Sequence, residues 1–361
     1  MKKYRRITVK IGSNVLTRKD GSLDVTRMSA LVDQVAELSR AGIEVILVSS
    51  GAVASGRSEL KELARRKMDS VDQRQLFSAV GQAKLINRYY ELFRDHNLAV
   101  GQVLTMKENF ATRRHYLNQR NCMMVMIENN VIPIVNENDT VSVTELMFTD
   151  NDELSGLIAA MMDAERLIIL SNIDGMYTGD PADPASRLIG RIALDDDPTG
   201  FVAAGKSSHG RGGMASKCRI ARLVAADGIE VVIANGKREG ILTALCSGTE
   251  VPHTVFEPAP RPASSVKKWI AHSGSFAKGT LRINDGAAEA LLRPRGGVSL
   301  LAVGVDAVEG DFDADDIVTI VTPGGDTIGW GRVSVDARTA SGMLGKAGGR
   351  PLIHADYLYI S

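Results

Sequence analysis

Two rhythms of apolar and polar residues divide the chain. Over the first 256 positions, short β-branched runs at 7–11, 43–48, 98–104, 131–135, 166–170 and 230–234 alternate with longer stretches whose apolar residues recur every three to four positions. The short runs are bounded by turn formers and read as buried strands. The longer stretches read as helices. One carries Met28, Leu31, Val32, Val35 and Leu38, with Thr26 as its N-cap and Gly42 closing it; others cover 73–95, 113–129, 152–162 and 214–226. Strands separated by helices of this length imply βαβ units with right-handed crossovers. The expected first domain is α/β, an open, mainly parallel doubly wound sheet with helices on both faces.

The rhythm breaks twice. Residues 174–211 show no period and contain Tyr177-Thr178-Gly179-Asp180-Pro181, followed by a Gly, Ser and Lys run over 205–213. A loop of that length in a compact domain is usually functional or disordered, and it reads here as a flexible cover over a nucleotide. The second break is Glu257-Pro258-Ala259-Pro260-Arg261-Pro262, a semi-rigid hinge. Beyond it, β-rich runs at 298–305 and 317–321 alternate with Gly-Gly and Pro-Gly turns, and only 285–292 looks helical. The expected domains are 1–256, a linker at 257–263, and a small, mostly-β domain at 264–361.

Composition narrows the function classes. A chain of 361 residues exceeds what one core usually supports, in line with two domains. Its formal net charge is zero, and the segment 264–361 holds 10 Lys+Arg against 11 Asp+Glu, a net of −1. A dedicated nucleic-acid binder shows a basic excess, so nucleic acid is not an expected partner. Lys2, Lys3, Arg5 and Arg6 are followed by no apolar h-region, and no apolar run is long enough to span a bilayer. Cys122, Cys218 and Cys246 lie far apart and read as reduced, core-filling thiols of a cytoplasmic protein.

The densest chemistry follows the run 131–135. Asn136-Glu137-Asn138-Asp139 comes directly after it, and Asp150-Asn151-Asp152 a short stretch later. Polar groups at the carboxyl end of such a strand lie where open α/β sheets bind ligands. They can hold the ammonium and carboxylate of an amino acid, or a magnesium ion. They also read as a polar loop in which Asp150 or Asn151 caps the next helix. There is no Gly-x-x-x-x-Gly-Lys-Ser/Thr loop and no Gly-x-Ser-x-Gly elbow, and the six histidines are scattered. Glycine turns beside lysines remain: Lys10 before Gly12, Ser49-Ser50-Gly51, and Gly212-Gly213 opening the helix that carries Lys217. Backbone amides at such turns bind phosphate oxygens, and a lysine adds charge, so together they favour phosphoryl transfer. A carboxylate acceptor, ionised above a pKa of about 4, needs no base. Catalysis then reduces to positioning and to neutralising the transferring group, for which two lysines and an aspartate that holds them apart suffice.

The motifs Val9-Lys10-Ile11-Gly12-Ser13, Val48-Ser49-Ser50-Gly51-Ala52, Val80-Gly81-Gln82, Val135-Asn136-Glu137-Asn138-Asp139, Asp150-Asn151-Asp152, Gly175-Met176-Tyr177-Thr178 and Gly212-Gly213-Met214-Ala215-Ser216-Lys217 carry a resemblance. Over nearly its whole length the chain resembles the glutamate 5-kinase family, amino-acid kinases (here over 5–255) with a C-terminal PUA domain. The resemblance implies ATP-dependent phosphorylation of the L-glutamate side-chain carboxylate to L-glutamyl 5-phosphate, the first step of proline biosynthesis. It implies Lys10 and Lys217 as catalytic, with Asp150 orienting both, and Ser50, Asp139 and Asn151 on glutamate. ATP would be lined by Lys10, Ser171, Asn172, Arg211, Gly212, Gly213, Met214, Ala215, Ser216 and Lys217. Mg2+ would bridge ATP phosphates largely through water and phosphate oxygens, with no protein ligand named. The resemblance also implies proline as a competing feedback inhibitor, a homo-oligomer, and transfer of the reactive product to glutamate-5-semialdehyde dehydrogenase. The intact Asn-Glu-Asn-Asp segment and the loop at 58–72 prompt the proline expectation. Three positions depart from the family pattern: Ser171-Asn172 for Thr-Asp, Thr149 for Gly, and Arg211 for a small polar residue. Two rivals are another acyl-phosphate or phosphate kinase on the same fold, and an RNA-binding regulator acting through the tail. The Asp-Asn-Asp block with the PUA-like tail argues against the first, the tail's near-neutral charge against the second.

Overall fold

The computed structural model describes residues 4–63, 68–141, 148, 150–196, 198, 213–260, 265–293, 298–346 and 348–360. Arg211, Gly212 and Thr149, and residues 205–212 of the expected nucleotide cover, lie outside the described residues. The chain forms two compact units, Met1–Met106 with Asn121–Pro262, and Lys107–Arg120 with Ala263–Ser361.

The strands of the first unit are β1 (Arg6–Ile11), β2 (Glu44–Ser49), β3 (Ala99–Thr105), β4 (Val131–Glu137), β5 (Arg166–Ser171), β6 (Met176–Tyr177), β7 (Leu188–Ile189), β8 (Arg191–Ile192), β9 (Glu230–Asn235) and β10 (His253–Phe256). Eight of them form one sheet in the order β3-β4-β2-β1-β5-β9-β10-β8, while β6 and β7 pair separately. Every neighbouring pair from β3 to β9 is parallel, and β10 runs antiparallel to β9. The stretch that showed no period from 174 onward therefore contains three very short strands, too brief for a rhythm to register.

Alternation along the strands separates two cores. Ile7, Val9, Ile11, Ile168 and Leu170 belong to one apolar cluster; Leu167 and Ile169 belong to another with Ile220 and Val224. Lys10, between Val9 and Ile11, falls on the opposite side of the strand from its neighbours. The helix Val25–Arg40 begins at Asp24, which accepts from the Arg27 amide at 3.1 Å, so Asp24 and not Thr26 is its N-cap. Either side chain could do this chemically; Thr26 is already inside the first turn.

The helices Ala52–Glu59 and Ser70–Arg94 touch backbone to backbone. A Cβ added to Gly81 would lie 1.8 Å from the Ala52 carbonyl oxygen, and one added to Gly56 would lie 1.8 Å from the Phe77 carbonyl oxygen. Only glycine permits that approach. It seats the long helix against the one that follows β2.

The second unit has a five-stranded sheet of β11 (Gly279–Ile283), β12 (Val305–Gly310), β13 (Ile317–Val321), β14 (Thr327–Arg332) and β15 (Leu358–Ile360), in the order β12-β11-β13-β14-β15. Its core includes Leu281, Ile283, Val318, Ile320, Leu352 and Ile353. Helices Ser265–His272 and Ala337–Met343 join the expected Asp285–Leu292. The first two span eight and seven residues and were not read from the sequence.

Lys107–Arg120 belongs to this unit, although its pattern sits within the first 256 residues. Buried Trp269 donates its indole N–H to the Phe110 carbonyl at 2.8 Å, and its ring lies 6.2 Å from Tyr116. The Arg113 guanidinium stacks over Tyr116 and Trp269. Such packing between distant residues leaves no local trace in a sequence. Cys218 and Cys246 are buried as expected, whereas Cys122 is exposed. Among the described residues, no helix is long and apolar enough to cross a membrane.

Candidate active site

The parallel strands end at one edge of the sheet. β4 lies on one side of β1 and β5 on the other, so the order of the sheet switches between β1 and β5. Ligands of open α/β sheets bind outside the carboxyl ends of strands at such a switch. The Gly12 amide donates to the Leu170 carbonyl at 3.2 Å, joining the turn after β1 to β5.

Two lysines meet one aspartate here. Lys10 Nζ lies 2.6 Å from Asp152 Oδ1, and Lys217 Nζ lies 2.9 Å from Asp152 Oδ2. Asp152 is fully buried, and both lysines are buried. Burial alone would push the Asp152 carboxyl up, but the two ammonium groups outweigh it and hold it below the usual carboxylate range. Burial lowers the Lys10 pKa, and Asp152 works against that shift.

The expected common anchor was Asp150, and the geometry corrects this. Asp150 is the N-cap of the helix Asn151–Met161, accepting from the Asp152 amide at 2.8 Å and the Glu153 amide at 3.0 Å. Its other oxygen accepts from the Ser216 hydroxyl at 2.5 Å. With one oxygen on the helix amides and the other on Ser216, Asp150 acts on Lys10 only as a nearby charge, while Asp152 makes the direct contacts to both lysines. The capping reading weighed for Asp150 contained the signal.

Ser50 and Asn151 come together. The Asn151 amide nitrogen approaches the Ser50 hydroxyl at 2.9 Å, the Asn136 side-chain oxygen at 3.0 Å and the Ser49 carbonyl at 3.3 Å. Asn136 in turn donates to Gln82 at 2.8 Å. Asp139 lies in a second cluster. Arg74 donates from Nε to Asp139 Oδ1 at 2.6 Å and from Nη2 to Glu137 Oε2 at 2.9 Å. Burial, then the neighbouring Asp139 charge, pushes Glu137 up to about 7, and burial raises Asp139 as well. Arg74 and Ser78, which sequence reasoning missed, and Gln82, which it quoted in a motif without a role, are spaced four apart on one face of the Ser70–Arg94 helix. That spacing, next to a polar strand end, was the available clue.

Ser171 is buried at the end of β5, and Asn172 after it is exposed. Met214, Ala215, Ser216 and Lys217 form the first turn of the helix Met214–Ala226. Its N-cap, Gly213, has no side chain to cap with, which leaves first-turn amides available to an anion. Nearby at the strand ends, Arg238 grips Asp174 with two hydrogen bonds of 2.8 and 2.6 Å, and Asn235 donates to the same carboxylate at 3.0 Å. Sequence reasoning did not find this trio. Among the described residues, no group of three or more His, Cys, Asp or Glu could hold a metal.

The family model described as "Amino acid kinase family" matches residues 5–235, and the one described as "PUA domain" matches residues 279–349. A protein of Bacteroides thetaiotaomicron named "Glutamate 5-kinase" is 62% identical over 99% of this chain and 99% of its own. The chain belongs to the glutamate 5-kinase family. A glutamate 5-kinase of Chlorobaculum tepidum is 42% identical, again over 99% of this chain and 98% of its own. A solved isopentenyl phosphate kinase covers 70% of the chain with a TM-score of 0.50 at 18% identity, which speaks for the fold alone.

Within this glutamate 5-kinase framework, Lys10→Ala and Lys217→Ala are each expected to keep the fold and lower turnover by about 10²-fold or more, the scale of removing one electrostatic stabiliser. Steady-state kinetics on the purified variants checks this. Near-normal turnover in either one removes that lysine from the mechanism.

Proposed function

We propose that the protein transfers the γ-phosphoryl group of ATP to the side-chain carboxylate of L-glutamate, giving L-glutamyl 5-phosphate, the first step of proline biosynthesis. The observation that carries this is the pair of buried lysines sharing Asp152 at the switch point, beside hydrogen-bonded clusters of amides and carboxylates. An ionised carboxylate attacks without losing a proton, so the site's task is positioning and charge. Lys10 and Lys217 neutralise the transferring phosphoryl oxygens. Asp152 fixes both ammonium groups before substrate arrives, so little reorganisation is needed during transfer. Ser50 and Asn151 hold glutamate's α-carboxylate, and Asp139 takes its α-ammonium. Gly213 to Lys217, with Ser171 and Asn172, line the nucleotide, and Arg211 and Gly212 complete that segment. Mg2+ bound with ATP would supply charge neutralisation on the phosphates. The same reading makes the protein cytoplasmic and homo-oligomeric, lets proline compete at the glutamate site, and passes the hydrolysis-prone product to glutamate-5-semialdehyde dehydrogenase.

A hydroxamate assay with ATP, magnesium and hydroxylamine tests it, because hydroxylamine traps an acyl phosphate and ignores a phosphoester. Product with L-glutamate, and none with aspartate or acetylglutamate, is expected. No hydroxamate from folded, ATP-binding protein would make the acceptor wrong.

A further inference from the structure

We propose that Arg74 is a positioning residue for amino-acid recognition: it holds Asp139 and Glu137 together as a site with one uncompensated negative charge, the complement of a single α-ammonium group. This rests on the reading that Asp139 receives the ammonium of glutamate.

The geometry assigns each oxygen. Asp139 Oδ1 is taken by Arg74 Nε and Nη2 together, and Nη2 also reaches Glu137 Oε2. Glu137 Oε1 accepts the Phe148 amide at 2.9 Å. Asp139 Oδ2 faces only the Ser78 hydroxyl, at the long distance of 3.5 Å, among the described residues. That oxygen is the position at which an ammonium group can approach. Where Glu137, pushed up to about 7, is ionised, two carboxylates against one guanidinium leave one negative charge, in a setting where both acids are buried. A planar fork reaching two carboxylates fixes their spacing in a way a point charge does not.

Arg74 also governs protonation. The groups facing Glu137 are Asp139 beyond it on the chain, Arg74 from the Ser70–Arg94 helix and Glu153 from the Asn151–Met161 helix. Arg74 is the cation among them. With Arg74 in place Glu137 is already pushed up to about 7; without it the two adjacent buried acids would hold a shared proton to still higher pH, and that proton would occupy the charge meant for the substrate. Glutamate would then have to displace it, and its apparent affinity would improve only as pH rises.

The test is the hydroxamate reaction of wild type, R74Q and R74K at varied L-glutamate and varied ATP, from pH 6 to 9. R74Q is expected to raise the KM for glutamate by about tenfold or more at pH 7, the scale of losing charged hydrogen bonds. Turnover and the KM for ATP stay within about threefold. The curve of glutamate KM against pH moves to higher pH in R74Q, and R74K falls between the two. A glutamate KM in R74Q within about twofold of wild type overturns the proposal. So does a parallel loss of turnover and ATP binding with an unshifted pH curve, the mark of a merely structural role. Should R74Q fail to fold, R74K carries the test, because it keeps the charge and loses the fork; an unchanged KM and pH curve there overturns the proposal. Wild type that makes no hydroxamate from L-glutamate overturns the proposed function and this inference with it. Active wild type beside an unaffected R74Q overturns this inference alone.

Discussion

Asp152→Asn is expected to lower turnover by about 10²-fold or more and to make the remaining activity decline as pH rises. The wild-type carboxylate sits between two buried ammonium groups, at 2.6 Å from one and 2.9 Å from the other. Deleting one partner of a buried ion pair costs about 3–5 kcal/mol, because the remaining charge is left uncompensated. Two such charges relieve the cost by giving up a proton. Lys10 is the candidate, since burial already lowers its pKa and Asp152 opposes that shift. A lysine is charged below its pKa and neutral above it, so a further lowering removes activity from the alkaline side first. Turnover of wild type, D152N and D150N between pH 6 and 9 reads this directly. Asp150→Asn keeps a side chain able to cap the helix and leaves the Asp152 anchor in place; its charge is the smallest of those acting on Lys10, so its pH profile should move far less than that of D152N. If D152N turns over within about threefold of wild type, the lysine clamp plays no part in the chemistry.

Gly81→Ala is expected to destabilise the protein by about 3 kcal/mol or more, the upper range for overpacking. Alanine would ordinarily stabilise an interior helical position by about 0.5–1 kcal/mol over glycine. Here its methyl would lie 1.8 Å from the Ala52 carbonyl oxygen and 2.5 Å from the Gly56 nitrogen. These are backbone atoms, with no flexible end that can swing aside, so the two helices must part. Gly342, in the Ala337–Met343 helix with open space around its Cβ position, supplies the control. Gly342→Ala should be neutral or mildly stabilising. Denaturant unfolding of both variants measures the contrast, and equal midpoints for G81A and wild type would mean the contact has slack. G81A should also weaken glutamate binding, because the displaced helix carries Arg74, Ser78 and Gln82.

The central strands were legible because buried parallel strands are continuous apolar runs with sharp ends. β4 extends two residues past its apolar run, and Asn136 and Glu137 pair in register with Leu104 and Thr105. Hydropathy ends where polarity begins, whereas a ladder of backbone hydrogen bonds does not. The lysines and Ser50 could be read from glycine turns after strands. Asp150 and Asp152 could not be told apart by composition, being two residues apart across a helix start. Arg74 left only the four-residue spacing with Ser78 and Gln82 as a trace, because its role depends on which face of a long helix meets β4. The attribution of Lys107–Arg120 to the second unit depends on Trp269, about 150 residues further along the chain.

That excursion bears on how the chain can be divided. Ending it at the proline segment would strip Phe110, Tyr116 and Arg113 of the indole they pack against and leave an aromatic surface prone to self-association. A graft of the tail between relatives would have to carry residues 107–120 along with 263–361. The element that evolution can exchange intact is therefore discontinuous, and a sequence-defined tail is only part of it.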